Sequence, residues 1–487
     1  MNPTNATTPV KPYAGRRIHF VGIGGCGMCG LAEFVLAEGG TVSGSDRTES
    51  ETVQRLRRLG ATVFIGHAGE HLPEGVERVV ASAAVPADNP ELAEALRRGV
   101  PVDKYARFLG RLMDLRQGIA VSGTHGKSTT TAMTAFVLRR AGLDPSFVIG
   151  ADVPQLGGGS SVGAGPHLVV EACEYDRSFL ALAPRAATIL NIEEDHLDYY
   201  KDLAEIRGAF ADFAARVPAG GLLVLGGTDL AAPQMARSTS AAVETFGLGG
   251  QWDWRAENLE ADRGRFAFDA YHGKDLYGTV RLSVPGQHQV LNALAAMALS
   301  RWAGAPREAV LEALGAFEGA RRRTEVLGRA AGVTVVDDYA HHPTEIVATL
   351  KAVRQCFEPK RLWVVFQPHQ YSRTRFLLKD FARALALADK TIVPDIYFVR
   401  DSENERQAVR SQDLVGEIQS LGADALYIES FDLIRRYLVE SLAAGDVLLV
   451  MGAGDVWRLG RPLLEDLGQG PRAKADQPAG RTNREGT

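Results

Sequence analysis

The chain has 487 residues, of which 45% are hydrophobic and 23% charged, and its formal net charge is −5. This length is too great for one ordinary core and predicts two to four domains, of which we expect three. A mildly acidic chain has no electrostatic reason to bind nucleic acid, and no apolar run approaches the roughly 18 residues of a membrane span, so both functions are excluded.

The chain begins and ends with polar segments. Residues 1–17 contain Pro and Gly and lack the apolar stretch of a signal peptide, so we expect a disordered arm and a cytoplasmic protein. Residues 467–487 have the same polar character and predict a disordered tail.

The first regular elements predict a Rossmann-like domain over residues 18–113. A buried-strand pattern at residues 17–23 runs into a Gly-x-Gly-x-x-Gly turn, and a helical stretch and a second strand, which ends before Asp46, follow. The alternation continues with strand and helix patterns at residues 51–59, 62–65, 78–82 and 90–98. The turn and Asp46 fit a dinucleotide or another sugar-linked diphosphate such as a UDP-sugar, and the pattern alone does not choose between them.

Cys26 and Cys29 form a Cys-x-x-Cys inside this first glycine turn. The chain has only 4 cysteines, too few for a disulfide framework. A thioredoxin-like or zinc site is an alternative, but no second Cys or His pair completes four ligands. We therefore interpret both cysteines as small packing residues.

A second glycine turn follows the apolar strand at residues 118–121, and Lys127 opens the helix behind it. Glycines let the backbone approach phosphate oxygens, Lys127 adds a positive charge, and Ser128 offers a hydroxyl to Mg²⁺. The strict phosphate loop has a glycine where this chain has Val121, so a compact form of the loop describes it better. We predict ATP or GTP binding in a central α/β domain over residues 114–322, through Gly123, Thr124, His125, Gly126, Lys127, Ser128 and Thr129; a strand-to-helix turn without a ligand is the alternative.

Two further strands of this domain end in polar side chains. Glu171 ends the strand at residues 167–171, and His196 follows the strand predicted at residues 187–192. Both lie at the carboxyl edge of a parallel sheet, where ligands bind. They are candidates to complete a Mg²⁺ sphere with Ser128, although imidazole is an unusual ligand for a hard cation and His196 is alternatively a structural histidine.

His288 and Asn292 lie four residues apart and therefore share one face of a predicted helix. On that face they could meet the base or ribose of a nucleotide. A capping and packing pair is the alternative interpretation.

A third alternation of strands and helices predicts a C-terminal domain over residues 323–466, after a charged hinge at residues 321–323. Its elements are predicted at residues 333–337, 343–356, 361–367, 375–388, 390–394 and 447–451. Two polar clusters follow its strands, at residues 337–345 and 367–375. Their carboxylates, imidazoles and guanidinium groups suit anionic ligands, with structural ion pairing as the alternative.

Together these segments resemble the Mur ligase family of ATP-dependent amide-forming enzymes, from about Ile18 to Trp457. The most discriminating segments are residues 19–25, 43–46, 123–128, 337–345, 366–374 and 451–455. The resemblance implies an α/β fold of three domains: a Rossmann-like UDP-binding domain, a phosphate-loop ATPase domain and a Rossmann-like amino-acid-binding domain. It also implies ATP and Mg²⁺ as cofactors, UDP-N-acetylmuramate and L-alanine as substrates, and a monomer or homodimer.

The resemblance also implies roles for particular residues. The UDP moiety would contact Gly24, Gly25, Asp46, His67 and Ser82. ATP phosphates and Mg²⁺ would contact Lys127, Ser128, Glu171 and His196, and the adenosine and phosphates would contact His288, Asn292, Arg323 and Asp338. Alanine and the muramoyl carboxylate would contact Tyr339, His341, His369 and Arg373, with His341 or His369 as a candidate proton acceptor for the amine.

Three positions depart from the usual family pattern. Gln289 stands where Asn is common, and Gln370 stands where Arg is common. The lysine that many of these ligases carbamylate has no evident counterpart between Leu197 and Phe213, because Lys201 is too close to His196. This absence favours an alanine-adding member of the family.

Other functions remain as alternatives to an alanine-adding ligase. A ligase that recycles a tripeptide onto the same UDP-sugar shares the same motifs. An NAD-dependent oxidoreductase would use the first glycine turn but leave the second without a role. A nucleotide-dependent switch protein would explain Lys127 but not the polar clusters of the C-terminal domain.

Overall fold

The computed structural model describes residues 11–227 and 229–469, and it divides between Arg323 and Thr324 into two compact units. Its three sheets confirm the predicted α/β fold with three domains, the first two of which lie in the first unit. Within the described residues, no helix combines the length and the apolar character needed to cross a bilayer.

The N-terminal domain is a parallel sheet of five strands with helices packed on it. Its strands are β1 (Arg17–Val21), β2 (Thr41–Asp46), β3 (Thr62–Ile65), β4 (Arg78–Ala81) and β5 (Val102–Lys104). Its helices are α1 (Cys26–Ala37), α2 (Glu51–Arg58), α3 (Pro90–Arg97) and α4 (Tyr105–Met113). The strand order β3-β2-β1-β4-β5 reverses direction at β1, so the first glycine turn lies at the switch point where α/β sheets bind ligands.

The central domain carries a sheet of ten strands in the order β15-β14-β13-β12-β11-β10-β6-β9-β7-β8. The strands are β6 (Gln117–Ser122), β7 (Ser146–Val148), β8 (Ser160–Ser161), β9 (His167–Glu171), β10 (Ala186–Ile189), β11 (Leu222–Gly226), β12 (Ala242–Leu248), β13 (Trp254–Asp262), β14 (Arg265–His272) and β15 (Asp275–Pro285). The helices are α5 (Lys127–Arg140), α6 (Leu203–Ala214), α7 (Ala232–Arg237), α8 (His288–Trp302) and α9 (Arg307–Ala316). Strands β9 and β10 pair in parallel with β6 on its two sides, so their carboxyl ends flank the second glycine turn.

The second unit contains a sheet of six strands in the order β16-β17-β21-β18-β19-β20. The strands are β16 (Glu325–Ala330), β17 (Val333–Asp338), β18 (Leu362–Phe366), β19 (Lys390–Val393), β20 (Ala425–Tyr427) and β21 (Val447–Met451). The helices are α10 (Pro343–Phe357), α11 (Tyr371–Phe376), α12 (Leu378–Leu385), α13 (Glu403–Ala408), α14 (Ser411–Ser420), α15 (Phe431–Ser441) and α16 (Gly460–Gln469). Apolar clusters cover both faces of this sheet, as expected for buried parallel strands.

Several predicted elements differ from the structure. The helix predicted at residues 375–388 is two helices, α11 and α12, which meet at Leu377. The strand predicted at residues 187–192 ends at Ile189, so His196 follows a longer loop. Residues 11–16, assigned from the sequence to a disordered arm, include Tyr13, whose ring packs against Phe108. Residues 1–10 of that arm and 470–487 of the predicted tail lie outside the described residues.

The two domains of the first unit share one apolar core and several polar contacts. Gly30 on α1 lies so close to β8 that a Cβ there would be 2.7 Å from the Cβ of Ser160. The Ser160 hydroxyl donates a hydrogen bond of 3.2 Å to the Glu33 carboxylate, which also pairs with Arg55 at 2.6 Å. These contacts explain why residues up to Arg323 form one compact unit.

Candidate active site

The second glycine turn connects the end of β6 to the start of α5 and has the backbone shape of a phosphate cradle. Gly126 is left-handed with φ 82°, and a Cβ on it would lie 2.5 Å from Asn292 Oδ1. Gly123 has φ 133°, and a Cβ there would lie 3.0 Å from the Leu190 amide nitrogen. Only glycine fits both positions, so the turn keeps its backbone open to a ligand.

The loop after β10 braces this turn. The Thr124 amide donates to the Asn191 carbonyl at 2.9 Å, and the His125 amide donates to Asn191 Oδ1 at 2.8 Å. The Thr124 hydroxyl accepts a hydrogen bond from the Glu193 amide at 2.9 Å. The turn is thus held in shape by the protein itself, which reduces the reorganisation that ligand binding requires.

Lys127 lies at the centre of the site and is 13% exposed. Its ammonium donates to the Gly123 and Thr124 carbonyls at 2.6 and 2.9 Å and to Glu174 Oε1 at 3.1 Å. Burial alone would lower the pKa of Lys127, but the Glu174 carboxylate more than offsets this and raises it above the ordinary value. The lysine is therefore charged at neutral pH.

Glu174 connects Lys127 to His196. Burial alone would raise the pKa of Glu174, but the Lys127 ammonium and the His196 imidazole lower it below its ordinary value. His196 has an unusual left-handed backbone with φ 54°, and its Nε2 lies 3.6 Å from Glu174 Oε1. The sequence analysis did not select Glu174, although this residue lies only three positions after the strand-ending Glu171.

The residues predicted to hold Mg²⁺ lie around this turn. Ser128 is 4% exposed and its Oγ accepts a hydrogen bond from Arg323 at 3.2 Å, so two predicted nucleotide residues are in contact. Glu171 Oε2 accepts a hydrogen bond from the Gly150 amide at 2.9 Å, which orients the carboxylate. A hydroxyl and a carboxylate are the oxygen ligands that Mg²⁺ prefers, so this donor set fits the ion. His196 Nδ1 is buried without a hydrogen-bond partner among the described residues.

His288 and Asn292 lie on the first turns of α8, and Gln289 connects them. Gln289 Nε2 lies 3.0 Å from His288 Nε2, and Gln289 Oε1 accepts a hydrogen bond from Asn292 Nδ2 at 3.0 Å. Asn292 also reaches Gly126. The structure therefore brings Asn292 to the glycine turn, and Gln289, a departure from the family pattern, completes a local network.

The first glycine turn lies at the carboxyl edge of the N-terminal sheet together with the residues predicted to bind a UDP moiety. Asp46 Oδ2 accepts a hydrogen bond from the Gly24 amide at 2.9 Å, and Ser82 packs against Gly22. Gly25 precedes α1 as its N-cap residue, so the positive end of this helix faces the turn. His67 follows β3 at the same edge.

The Cys-x-x-Cys motif lies at the start of α1, against the central domain. Cys26 Sγ donates to the Ile149 carbonyl at 3.6 Å, and Cys29 Sγ donates to the Cys26 carbonyl at 3.0 Å. Burial, with Cys29 and Glu171 nearby, raises the pKa of Cys26 to about 11. A thiol with this pKa is a poor nucleophile at neutral pH, which favours the packing interpretation.

In the second unit, the two polar clusters lie next to each other. The rings of His341 and His369 are 6.3 Å apart, and His369 stacks on Tyr397 with centroids at 5.4 Å. His341 Nδ1 lies 3.1 Å from the Tyr339 carbonyl, and the Arg373 guanidinium donates to the His369 carbonyl at 2.9 Å. The four residues predicted to contact alanine and its acceptor therefore form one cluster.

The electrostatics of this cluster separate the two histidines. Burial, with help from His341, Arg373 and Arg400, lowers the pKa of His369 to about 3. An imidazole with such a pKa does not accept a proton at neutral pH. The lowered pKa therefore argues against His369 as a base and leaves His341 as the candidate.

Asp338 ends β17 and accepts hydrogen bonds from two neighbouring segments of its own unit. Its Oδ2 accepts hydrogen bonds from the Thr324 amide at 2.7 Å and hydroxyl at 3.0 Å, and its Oδ1 accepts one from the Ala340 amide at 2.8 Å. Thr324 has φ 52°, a strained value for a β-branched residue. Asp338 thus stabilises a strained backbone where the second unit begins, and its contact with nucleotide stays a prediction.

Comparison with known proteins gives a consistent result over the whole chain. Three Mur ligase family models match: the catalytic-domain model at residues 17–117, the middle-domain model at 121–300 and the glutamate-ligase-domain model at 322–454. The UDP-N-acetylmuramate–L-alanine ligase of Caldanaerobacter subterraneus is 42% identical over 453 residues, which cover 93% of this chain and 98% of the relative.

Solved structures give the same family. The UDP-N-acetylmuramate–alanine ligase of Thermotoga maritima matches with a TM-score of 0.77 and 31% identity, covering 92% of this chain and 98% of its own. A murein peptide ligase from Psychrobacter arcticus matches with a TM-score of 0.69 and 27% identity. This match covers 93% of this chain and 99% of the murein peptide ligase. The alanine ligase is therefore the more similar of these two structures.

Proposed function

Because this chain belongs to the Mur ligase family, we propose that it joins L-alanine to the carboxylate of UDP-N-acetylmuramate and converts ATP to ADP and phosphate. The observation that carries the proposal is the similarity to alanine ligases, which extends over 93% of the chain at 42% identity. The product is a precursor of peptidoglycan. The enzyme would act in the cytoplasm, where ATP and nucleotide sugars are made, as a monomer or homodimer.

ATP and Mg²⁺ fit the second glycine turn. The open backbone at Gly123 and Gly126 and the charged Lys127 suit the phosphates, and the Ser128 hydroxyl and Glu171 carboxylate suit the ion. When bound, Mg²⁺ supplies positive charge that offsets the charge of the phosphates. Asn292 lies beside Gly126 and Arg323 contacts Ser128, which supports assigning both side chains to the nucleotide.

The first half of the reaction makes the substrate carboxylate electrophilic. A carboxylate oxygen attacks the γ-phosphorus, the bond to the ADP oxygen breaks, and an acyl phosphate forms. Lys127 and the backbone amides of the turn stabilise the charge on the transferred group. Glu174 keeps Lys127 charged and in place.

In the second half, the alanine amine attacks the acyl carbon and phosphate leaves from a tetrahedral intermediate. The amine must lose protons to form an amide, and His341 is the imidazole of the second unit that we assign to accept one. We assign Arg373, which is 7% exposed and anchored on the His369 carbonyl, to an anionic carboxylate. His369 then acts as a neutral, stacked binding residue.

The test is ADP formation from ATP, Mg²⁺ and UDP-N-acetylmuramate with the twenty amino acids supplied one at a time. We expect alanine to give the fastest turnover and a product with the mass of the alanyl conjugate. The tripeptide L-alanyl-γ-D-glutamyl-meso-diaminopimelate serves as the comparison substrate. Turnover with the tripeptide and not with alanine would identify a recycling ligase, and no amine-dependent ADP would refute ligase function.

A further inference from the structure

A buried carboxylate lies behind the edge of the N-terminal sheet where the UDP-sugar is proposed to bind. Glu91, in the first turn of α3, is 0% exposed, as are His19 on β1 and Ser45 on β2. Burying a carboxylate is costly unless it is well hydrogen-bonded, and an apolar side chain would fill the same space without that cost. The presence of Glu91 therefore requires an explanation.

Three side chains lie within hydrogen-bonding distance of the Glu91 carboxylate, and a fourth, His71, has its Nδ1 3.8 Å from Oε1. Its Oε2 lies 2.7 Å from His19 Nε2 and accepts a hydrogen bond from the Ser45 hydroxyl at 2.8 Å. Its Oε1 lies 3.1 Å from His67 Nδ1, and that nitrogen also lies 2.9 Å from Ser45 Oγ. One carboxylate on α3 therefore connects β1, β2 and the loop after β3.

The carboxylate is ionised. Burial alone would raise the pKa of Glu91, but hydrogen bonds from His19, Ser45 and His67 lower it below its ordinary value. An ionised carboxylate only accepts hydrogen bonds. Every nitrogen or hydroxyl that faces it must therefore carry the hydrogen.

This requirement determines the tautomer of His67. The hydrogen of the Ser45 hydroxyl points at Glu91, so Ser45 Oγ is also an acceptor toward His67. Both neighbours of Nδ1 are acceptors, so Nδ1 carries the hydrogen. In the neutral imidazole, Nε2 is then a bare acceptor.

We infer that Glu91 is a positioning residue that, with Ser45, holds His67 in the Nδ1–H tautomer and presents Nε2 to an N–H or O–H donor of the UDP-sugar. The inference rests on the proposed function for the identity of the ligand. His19 orients the carboxylate in turn, since its Nδ1 lies 2.9 Å from the Ser43 hydroxyl and its ring is fully buried. Glu91 itself has no exposed surface and acts only through His67.

The test is Glu91→Gln, which keeps the shape of the side chain and can offer an N–H to His67 Nδ1. This favours the opposite tautomer, in which Nε2 is a donor and no longer accepts from the ligand. We expect the KM for UDP-N-acetylmuramate and its Kd to rise by about tenfold, with kcat and the KM for ATP within about twofold of wild type.

The matched control is Glu94→Gln, one turn later on the same helix. Glu94 pairs with Arg97 and Arg98 at the surface, so its loss should leave the KM for the UDP-sugar unchanged. If Glu91→Gln does not fold, Ser45→Ala replaces it as the test variant. This substitution removes one hydrogen-bond acceptor from His67 Nδ1 and should raise the KM for UDP-N-acetylmuramate. An unchanged KM in the folded variant overturns the inference.

A double-mutant cycle separates positioning from a general structural role. If Glu91 acts through His67, Glu91→Gln adds nothing to the KM increase of His67→Gln. Additive effects, or a His67→Gln variant with a normal KM, overturn the inference. Nitrogen-15 spectra of histidine-labelled protein provide a second readout, in which the protonated nitrogen of His67 should change from Nδ1 in wild type to Nε2 in Glu91→Gln.

Failure of this inference and failure of the proposed function give different results. If the function is wrong, wild-type protein neither binds UDP-N-acetylmuramate nor forms ADP in response to alanine. If only the inference is wrong, wild type is active and the Glu91→Gln and Glu94→Gln variants have the same KM.

Discussion

We predict that nucleotide turnover depends on Lys127 more than on any other side chain of the glycine turn. Its replacement by Ala removes the buried positive charge that contacts Glu174 and the turn carbonyls. We expect ADP formation to fall by roughly 10² to 10³-fold or more, because transition-state charge loses a preorganised partner. The measurement is steady-state ADP release.

The control for this prediction is Lys104→Ala. Lys104 is 78% exposed and pairs only across the surface with Asp176. Its removal should leave turnover within about twofold of wild type. Full activity of the Lys127→Ala variant would contradict the role of Lys127 in nucleotide turnover.

His369 should be neutral over the whole physiological pH range. Burial lowers the pKa of His369 to about 3, whereas an imidazole in the unfolded chain has a pKa of about 6.5, so we expect the free energy of unfolding to decrease as pH falls between those values. In an NMR titration, the His369 signal, assigned from its absence in His369→Gln, should not shift between about pH 5 and pH 8. A midpoint near the ordinary imidazole value of about 6.5 would contradict the burial of this ring.

At the residue scale, the sequence identified side chains that belong to local motifs and missed those whose importance comes from burial. Lys127 and Ser128 were identified because they open the helix behind a glycine turn, and Asp46 because it ends the second strand of a βαβ unit that contains such a turn. Glu174 lies three residues after the end of β9 and belongs to no sequence motif. Only its contacts with Lys127 and His196 show that it lies in the candidate site. Glu91 has the sequence appearance of an ordinary acid in a first helical turn, and its full burial depends on strands far away in the chain.

At the scale of elements, the second glycine turn gives a prediction for Gly126→Ala. The substitution forces a left-handed backbone on alanine and brings a Cβ to 2.5 Å from Asn292 Oδ1. We expect the KM for ATP to rise by about tenfold or more, since left-handed strain of about 1–2 kcal/mol adds to a displaced loop.

Gly142→Ala is the matched control, at the other end of α5. Gly142 also has a left-handed φ, 75°, but a Cβ there meets nothing within 4 Å. It should lower the melting temperature through the same strain and leave the KM for ATP unchanged. Equal effects of the two variants on that KM would show that the turn does not hold the nucleotide.

The sequence predicted some buried parallel strands with their bounds, but missed the buried parallel strand β11 and the antiparallel strands of the central sheet. Strands β9 and β21 have the predicted bounds, because continuous apolar runs indicate strands buried on both faces. The sequence analysis did not identify β14, nor β13 and β15, in which apolar residues alternate with polar or charged ones. The break between α11 and α12 was also missed, since the apolar period continues across Leu377.

At the scale of the whole molecule, the order of strands in each sheet could not be predicted from the sequence. In the C-terminal sheet, β21 comes last in the chain but pairs between β17 and β18. This arrangement brings the polar residues after β17 and β18 to the same edge as the end of β21. Local patterns predicted three α/β domains, whereas the pairing depends on contacts between residues more than 80 positions apart.

The packing of α1 on β8 predicts that the N-terminal and central domains stabilise each other. Gly30→Val would place a side chain where a Cβ already meets Ser160 at 2.7 Å, so we expect a loss of about 1–3 kcal/mol from overpacking. The measurement is the thermal unfolding of the first unit. Gly208→Val on α6, where a Cβ meets nothing within 4 Å, should change stability by no more than about 0.5 kcal/mol.

The same packing has a consequence for which substrates the enzyme can use. Both glycine turns belong to one tightly packed body, because Gly30 contacts Ser160 and Cys26 contacts Ile149 across the two domains. If the two turns bind the sugar nucleotide and ATP as proposed, the rigid packing sets the distance from the diphosphate of one ligand to the γ-phosphate of the other. Analogues whose carboxylate arm is one or two bonds longer or shorter should bind but fail to react, whatever their chemistry.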